Sequence, residues 1–263
     1  HNHMYDGSDS TNTAADPANL MPYVALDAVT AGAETVTATT HGNAANVPED
    51  AWAVIVDTTG TTSGASYFPD NLWWCKVGTV NASTGAITIS PPCPFAISGA
   101  RIHYFDGIAV STNKEVPFRA VENVHFRDLG FEAEMPWFGT AWFGGGVRDC
   151  DFGYFRGIQS NCLVDWLMKD CKGDFWSAAT ELKFGSRAAL VEHNRFRYVA
   201  KDGFSNTASG VSCGECSFDI AWRNNDFCFG LDWADAPITI SQSEKVLFDN
   251  NNIQIYGDTA YLL

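Results

Sequence analysis

The sequence is poor in charge, and above all in positive charge. Lys and Arg number 16 against 31 Asp and Glu in 263 residues, a net charge of −15. That balance excludes the basic surface a nucleic-acid binder needs. It suits a soluble extracellular or virion protein, or one that binds cations. No apolar run reaches the roughly 18 residues of a membrane span, and no signal peptide is visible. Histidines at metal-ligand spacing are missing too. His103 alternates within a strand, while His125 and His193 belong to turns or outward positions, so a transition-metal site is not expected. The eight cysteines are few for a chain of this length to be a disulfide-stapled mini-fold. Cys213-Gly-Glu-Cys216 is the one CxxC and has no second pair, which leaves a local disulfide, buried thiols or a turn as its readings. The opening His1-Asn2-His3-Met4 looks like the end of a His-Asn purification tag before a start Met, not a metal site.

What is present is ordinary for a folded chain, with 46% apolar residues. Residues 5–33 read as polar and then mildly helical, with Asp16-Pro17 at N-cap and first-turn positions. Residues 34–116 form a β-rich lead-in of short strands: "ETVTATT", "AWAVIVDTT", "WWCKVGTV", "GAITISPP" and "ARIHYF". "NASTGAITIS" is a hairpin with Ser-Thr-Gly as its turn. Trp73 and Trp74 cannot share one side of a strand, so one of them is expected at the surface or an interface.

From 117 to 263 the text repeats. "RDLGF", "RDCDF", "KGDF" and "EHNRF" end at Phe131, Phe152, Phe175 and Phe196, at intervals of 21, 23 and 21 residues. "NNDF" and "DNNNI" follow, ending at Phe227 and Ile253, with Phe218 of "GECSF" as a rival fifth anchor. Each unit carries a β-type run, an Asp/Asn-rich corner and an apolar residue just after it. A period near 21–25 residues with one strand cluster per unit is a stacked solenoid. Leu-rich and helical repeats are excluded by composition and period, which leaves an all-β parallel β-helix. Inward Phe, Val, Ile and Cys should stack at about 4.8 Å, while corner Asn or Asp takes the left-handed conformation and hydrogen-bonds along the stack.

The units "VENVHFRDLGF", "GVRDCDF", "IAWRNNDF" and "KVLFDNNNI" resemble the repeats of the right-handed parallel β-helix superfamily, which includes pectate-lyase-like enzymes and phage tailspike depolymerases. The lead-in "VGTVNASTGAITISPPCPF" looks like the β-rich segment before such helices, so the resemblance spans about residues 50–263. It implies a polysaccharide partner and a secreted or virion location. It is specific for architecture and weakly so for activity, because the fold serves lyases, hydrolases, epimerases and inert adhesins alike. "KDGFS" resembles the Asn-Thr-Asp-Gly corner of polygalacturonase-type hydrolases, yet their Asp-Asp, Gly-His-Gly and Arg-Ile-Lys motifs have no counterpart. No catalytic residue is carried over from those families.

A column argument supplies candidates instead. Six residues past the Phe anchors come Trp137, Ile158, Glu181, Asp202 and Trp233, and one earlier Pro136, Gly157, Thr180, Lys201 and Asp232. Glu181, Asp202 and Asp232 would then line one side of the solenoid, with Lys201 beside them. One or two rungs of about 4.8 Å bracket the carboxylate separations of retaining and inverting glycosidases. The same acids suit Ca²⁺, at Glu181 and Asp202, in a lyase whose base is a cation. Lys201, Arg195, Arg197 and Arg223 are the available bases or carboxylate clamps. Trp137 and Trp233 fall in the acid column, where flat aromatic faces hold sugar rings.

Each candidate also has a plain structural reading. Asp202-Gly203 is a turn pair, Glu181 a solvated strand start, and Arg195 and Arg197 the outward residues around Phe196; the Trp set fills a wide core. Two functions therefore compete: a polysaccharide depolymerase, lyase or hydrolase, and a non-catalytic structural or adhesive module of a phage tail or surface fibre. "YGDTAYLL" offers no amphipathic cap, so either the chain continues or a partner covers the end, as a homotrimer would.

Overall fold

The computed structural model describes residues 22–58, 71–104, 120–131, 137–139, 141–155, 158–160, 163–175, 180–182, 185–198, 211–214, 216–230, 238–241 and 243–255. It divides into two compact units, His1–Arg119 and Ala120–Leu263.

The first unit is one antiparallel sheet of β1 (Tyr23–Leu26), β2 (Ala33–Thr37), β3 (Trp52–Asp57), β4 (Leu72–Asn81), β5 (Ala86–Cys93) and β6 (Ala100–Tyr104), in the order β1-β6-β3-β4-β5-β2. The five strand-like segments of the lead-in are all strands. Asn81 shapes the β4–β5 hairpin turn: its Oδ1 accepts from the Ser83 and Thr84 amides and the Ser83 hydroxyl, and Gly85 closes the turn at φ 74°. Residues 23–26 are strand, because Val24 and Leu26 alternate inward and β6 offers a ladder; the short helix expected from Asp16-Pro17 lies outside the described residues. One expectation fails here. Neither Trp73 nor Trp74 is exposed (5% and 0%). The Trp73 face is covered by Phe95, edge-on at 6.0 Å, and its indole N–H donates to the Pro91 carbonyl, so β4 is buried on both sides.

The second unit winds rung by rung through three parallel sheets. Its rungs begin with β7 (Ala120–Arg127), β8 (Gly130–Phe131) and β9 (Trp137–Gly139), then β10 (Ala141–Arg148), β11 (Asp151–Phe155) and β12 (Ile158–Ser160). Next come β13 (Leu163–Lys169), β14 (Lys172–Phe175) and β15 (Thr180–Leu182), then β16 (Arg187–Glu192), β17 (Arg195–Tyr198) and β18 (Val211–Cys213). The last are β19 (Phe218–Arg223), β20 (Asp226–Phe229) and β21 (Ile238–Ile240), with β22 (Glu244–Asp249) and β23 (Asn252–Ile255) beyond. Sheet I stacks β7-β10-β13-β16-β19-β22, sheet II β8-β11-β14-β17-β20-β23, and sheet III β9-β12-β15-β18-β21. Every neighbouring pair in all three is parallel, so the chain is a parallel β-helix.

The interior of the solenoid is apolar and largely aromatic. Phe131, Phe152, Phe196 and Phe227 form one inward column of sheet II, ending at Ile253. Phe175, expected as the third anchor, is not in it. Gly173 takes that place, and Phe175 stands two positions on, between Phe155 and Tyr198. Its ring fills the space that Gly173 leaves, 5.6 Å from Phe152 and 5.1 Å from Phe196. Phe218 pairs in sheet I with Arg187 and is no anchor. Trp142, Trp166 and Trp222 are core residues, 4%, 1% and 0% exposed; Trp166 stands between Gly145 and Ala189, small neighbours that make room for its indole.

The corner joining sheets I and II divides the expected Asn/Asp role between two successive positions. Asp128, Asp149, Asp170, His193, Asn224 and Asn250 hold φ between 49° and 56°. From Cys150 onward the residue after each turns inward, and in later rungs it is Asn. The amide of Cys171 donates to Asn194 Oδ1, that of Asn194 to Asn225 Oδ1, and that of Asn225 to Asn251 Oδ1. Their side-chain NH₂ groups donate back to the Met168, Val191 and Trp222 carbonyls. This ladder satisfies corner groups that sheet pairing cannot reach. Cys150 and Cys171 hold the same position in earlier rungs, buried and free; burial pushes the Cys171 thiol up to about 12.

Candidate functional site

Sheet II alternates apart from a bulge at Gly153, so its inward column fixes what faces outward. One outward row runs Asp151, Lys172, Arg195, Asp226, Asn252, and the next Asp174, Arg197, Cys228, Gln254. Lys172 Nζ meets Asp151 Oδ2 at 2.9 Å. Arg197 grips Asp174 with two parallel bonds, Nε to Oδ1 at 2.6 Å and a terminal nitrogen to Oδ2 at 2.5 Å. That carboxylate raises the Arg197 pKa above its ordinary value. Asn252 Nδ2 donates to Asp226 Oδ1 at 3.2 Å. These are exposed pairs, worth well under about 1 kcal/mol each, and their effect is to hold side chains in place. Two depressions of about 370 and 400 Å³ lie on this face, and Arg195 and Arg197 line both. Phe152, Gly153 and Gly173 floor one; Cys228, Asn252 and Gln254 line the other.

The remaining sequence candidates distribute as follows. Arg223 lies on sheet I, with Glu192 and Asp249 as register neighbours, and so is apart from Arg195 and Arg197. Glu181 lies in sheet III, where its neighbours are Gln159 and Ser212; Thr180 is the residue that meets Ile158 in the Trp137 column. Asp202, Lys201, Asp232 and Trp233 fall outside the described residues, and Trp137 is placed by its backbone in β9. The outward charged residues that alignment on the Phe anchors missed are Asp151, Lys172, Asp174 and Asp226. The signal for them was available: each is one place before or after a residue that points into the stack.

Sheet I has its own outward charge row: Arg127, Arg148, Lys169, Glu192, Arg223 and Asp249. Lys169 hydrogen-bonds Glu192 at 2.8 Å and holds its carboxyl below the ordinary value. A depressed folded pKa contributes stability above the unfolded value, about 4.3, and that contribution is lost as pH falls through the folded value. Glu192→Gln is therefore expected to cost roughly 0.5 kcal/mol near neutral pH. The gap to the parent should close as pH falls below the unfolded value and through the lowered folded one; urea melts at a series of pH values measure it, and a gap that persists in strong acid would contradict the pairing. Among the described residues no group of three or more His, Cys, Asp or Glu side chains is placed to hold a metal ion, and no helix is long and apolar enough to cross a membrane.

No protein-family model matches the sequence, and no curated protein matches it. Among solved structures it is similar to the tailspike gp49 of Pseudomonas phage LKA1, at 12% identity over 89% of this chain and 47% of that one, with a TM-score of 0.42. It is similar to the tailspike Gp54 of Acinetobacter baumannii bacteriophage AP22, solved with an A. baumannii capsular saccharide, at 9% identity over 89% and 45%, TM-score 0.43. The tailspike gp61 of Pseudomonas phage phi297 aligns at 12% identity over 92% and 48%, TM-score 0.46. The chain thus spans about half the length of these tailspikes. Its stacked parallel register, on its own, makes the chain a β-helix, the architecture its repeats resemble.

Proposed function

We propose that the chain binds a polysaccharide along its β-helix, as part of an extracellular or virion-associated protein, and acts on the chain it holds as a depolymerase, lyase or glycoside hydrolase. The observation that carries this reading is the outer face of sheet II. Polar side chains recur there at every rung, about 4.8 Å apart, and two adjoining depressions share a wall of Arg195 and Arg197. A surface that repeats along one axis suits a polymer better than a single small molecule. Hydrogen-bonding forks repeated along a groove are the chemistry that sugar hydroxyls need.

For the cleavage step we retain Glu181, Asp202 and Asp232 as acid, base or metal ligand, with Lys201 as an alternative base. Trp137 and Trp233 would stack sugars, and Ca²⁺ at Glu181 and Asp202 would serve a lyase. Incubation with a panel of acidic and neutral polysaccharides is expected to release reducing ends. Lyase action adds the ultraviolet absorbance of an unsaturated uronate; hydrolysis does not. Glu181→Gln and Asp202→Asn should each lower the rate by about 100-fold or more, and loss on chelation restored by Ca²⁺ would implicate the metal. Binding without either product across the panel would remove the enzyme reading and keep the binding one.

One observation favours a non-catalytic fibre module. The outer face of sheet I carries a half-exposed apolar row, Leu167, Leu190, Ala221 and Leu247, which could pack against further copies in a homotrimer. Sedimentation giving a tight trimer, with glycan binding unchanged in Glu181→Ala and Asp202→Ala, is the result expected of that alternative.

A further inference from the structure

On a chain of net charge −15, three cations cluster on sheet II where two depressions adjoin. Two of the three are committed within the fold. Lys172 faces Asp151 at 2.9 Å, and Arg197 spends two of a guanidinium's N–H donors on Asp174. Arg195, the register neighbour of Lys172 and two residues before Arg197 on the same strand, forms no ion pair among the described residues, and its one acidic register neighbour, Asp226, is bonded to Asn252. Arg195 is exposed and lines both depressions.

We propose that Arg195 is a carboxylate clamp, and that the polysaccharide held on sheet II is an acidic one, with a carboxylate-bearing sugar seated at the shared wall of the two depressions. The inference rests on the polysaccharide reading above and deepens it. A neutral sugar offers only hydroxyls, which the acids and amides of this face serve as well as a guanidinium does. A planar carboxylate matches the guanidinium fork with two parallel bonds. Lys172 and Arg197, held in place by Asp151 and Asp174, keep unused donors on either side of Arg195, so the clamp needs little rearrangement on binding. The flanking acids repel an anion that does not align its charge with Arg195, which makes the face selective as well as attractive.

The test uses the whole chain with oligogalacturonate, oligomannuronate and oligosialate, each beside its carboxyl-reduced, neutral counterpart. At least one acidic probe is expected to bind at least about tenfold more tightly than its reduced form. Arg195→Gln should weaken that acidic probe by about tenfold or more and leave the reduced form unchanged. Asp226→Asn should strengthen it, and added salt should weaken it in the parent more than in Arg195→Gln. Bound probe should also slow alkylation of Cys228, resolved by mass spectrometry, because that thiol lines the second depression. Arg195 is a solvent-facing side chain, so an unchanged thermal melt is expected and separates lost binding from lost folding. Equal binding of acidic and reduced forms, or an Arg195→Gln variant that binds the acidic probe like the parent, overturns the clamp while the polysaccharide reading stands. Failure of every probe in both forms overturns both.

Discussion

Gly173→Ala is expected to destabilise the β-helix by about 2–3 kcal/mol, although it adds a single methyl group. Gly173 sits in the inward column that holds Phe131, Phe152, Phe196 and Phe227 in other rungs. A Cβ there would lie 2.6 Å from both the Cβ and the carbonyl oxygen of Phe152 and 3.0 Å from the Phe175 ring. Phe175 has taken the room that a side chain at 173 would need, and the Phe152 carbonyl belongs to the sheet ladder and cannot retreat. Shortening Phe175 in the double variant Gly173→Ala/Phe175→Leu should therefore not restore stability. Gly130→Ala is the control in the first rung of the same sheet. Nothing lies within 4 Å of a Cβ there, so that midpoint should stay near the parent's. Urea midpoints decide the matter, and a parent-like Gly173→Ala would mean the column tolerates filling.

The second large effect is expected at the corner. Asn225 is 1% exposed and is the middle member of the amide ladder. It accepts from the Asn194 backbone and side chain and donates to the Val191 carbonyl and to Asn251. Asn225→Leu keeps the side chain near its size but strands the Asn194 amide and the Val191 carbonyl. Each buried group left unpaired costs about 1–3 kcal/mol, so the loss should be roughly 2–6 kcal/mol. Asn224, one residue earlier, has φ 55° and is exposed. Asn224→Gly loses one exposed bond from Asn250 and relieves left-handed strain, so it should change stability by less than about 1 kcal/mol. A pair of neighbouring asparagines with a several-fold difference in cost would establish that the two corner positions have separate roles; equal costs would not fit the ladder.

The corner and the Phe column also mark where sequence reading stops. "RDLGF", "RDCDF", "EHNRF" and "NNDF" each carry the left-handed residue, the ladder position and the anchor in order, and all are local, so they can be seen in the text. "KGDF" misleads because its anchor position has no side chain. Phe175 supplies the aromatic from two residues further on, and Gly153 adds a bulge in the preceding rung. A count of six from Phe175 lands on Glu181, one place past Thr180, which meets Ile158; Glu181 lies beside Gln159 and Ser212. Trp73 and Trp74 are a similar case: strand alternation separates them, but only the packing of Phe95 and the Pro91 segment buries both.

The parallel β-helix is legible in contiguous residues, because strand runs, turn residues and a period of about one rung are all local and any stack must obey them. So is the outward facing of Arg195 and Arg197, since Phe196 between them faces in. Which residues meet across rungs, which of three neighbouring cations the fold neutralises, and which glycine yields its space to an aromatic ring emerge from packing alone. Those outcomes depend on connections of unequal length and on the filling of space between chain segments more than twenty residues apart, and no local pattern carries that information.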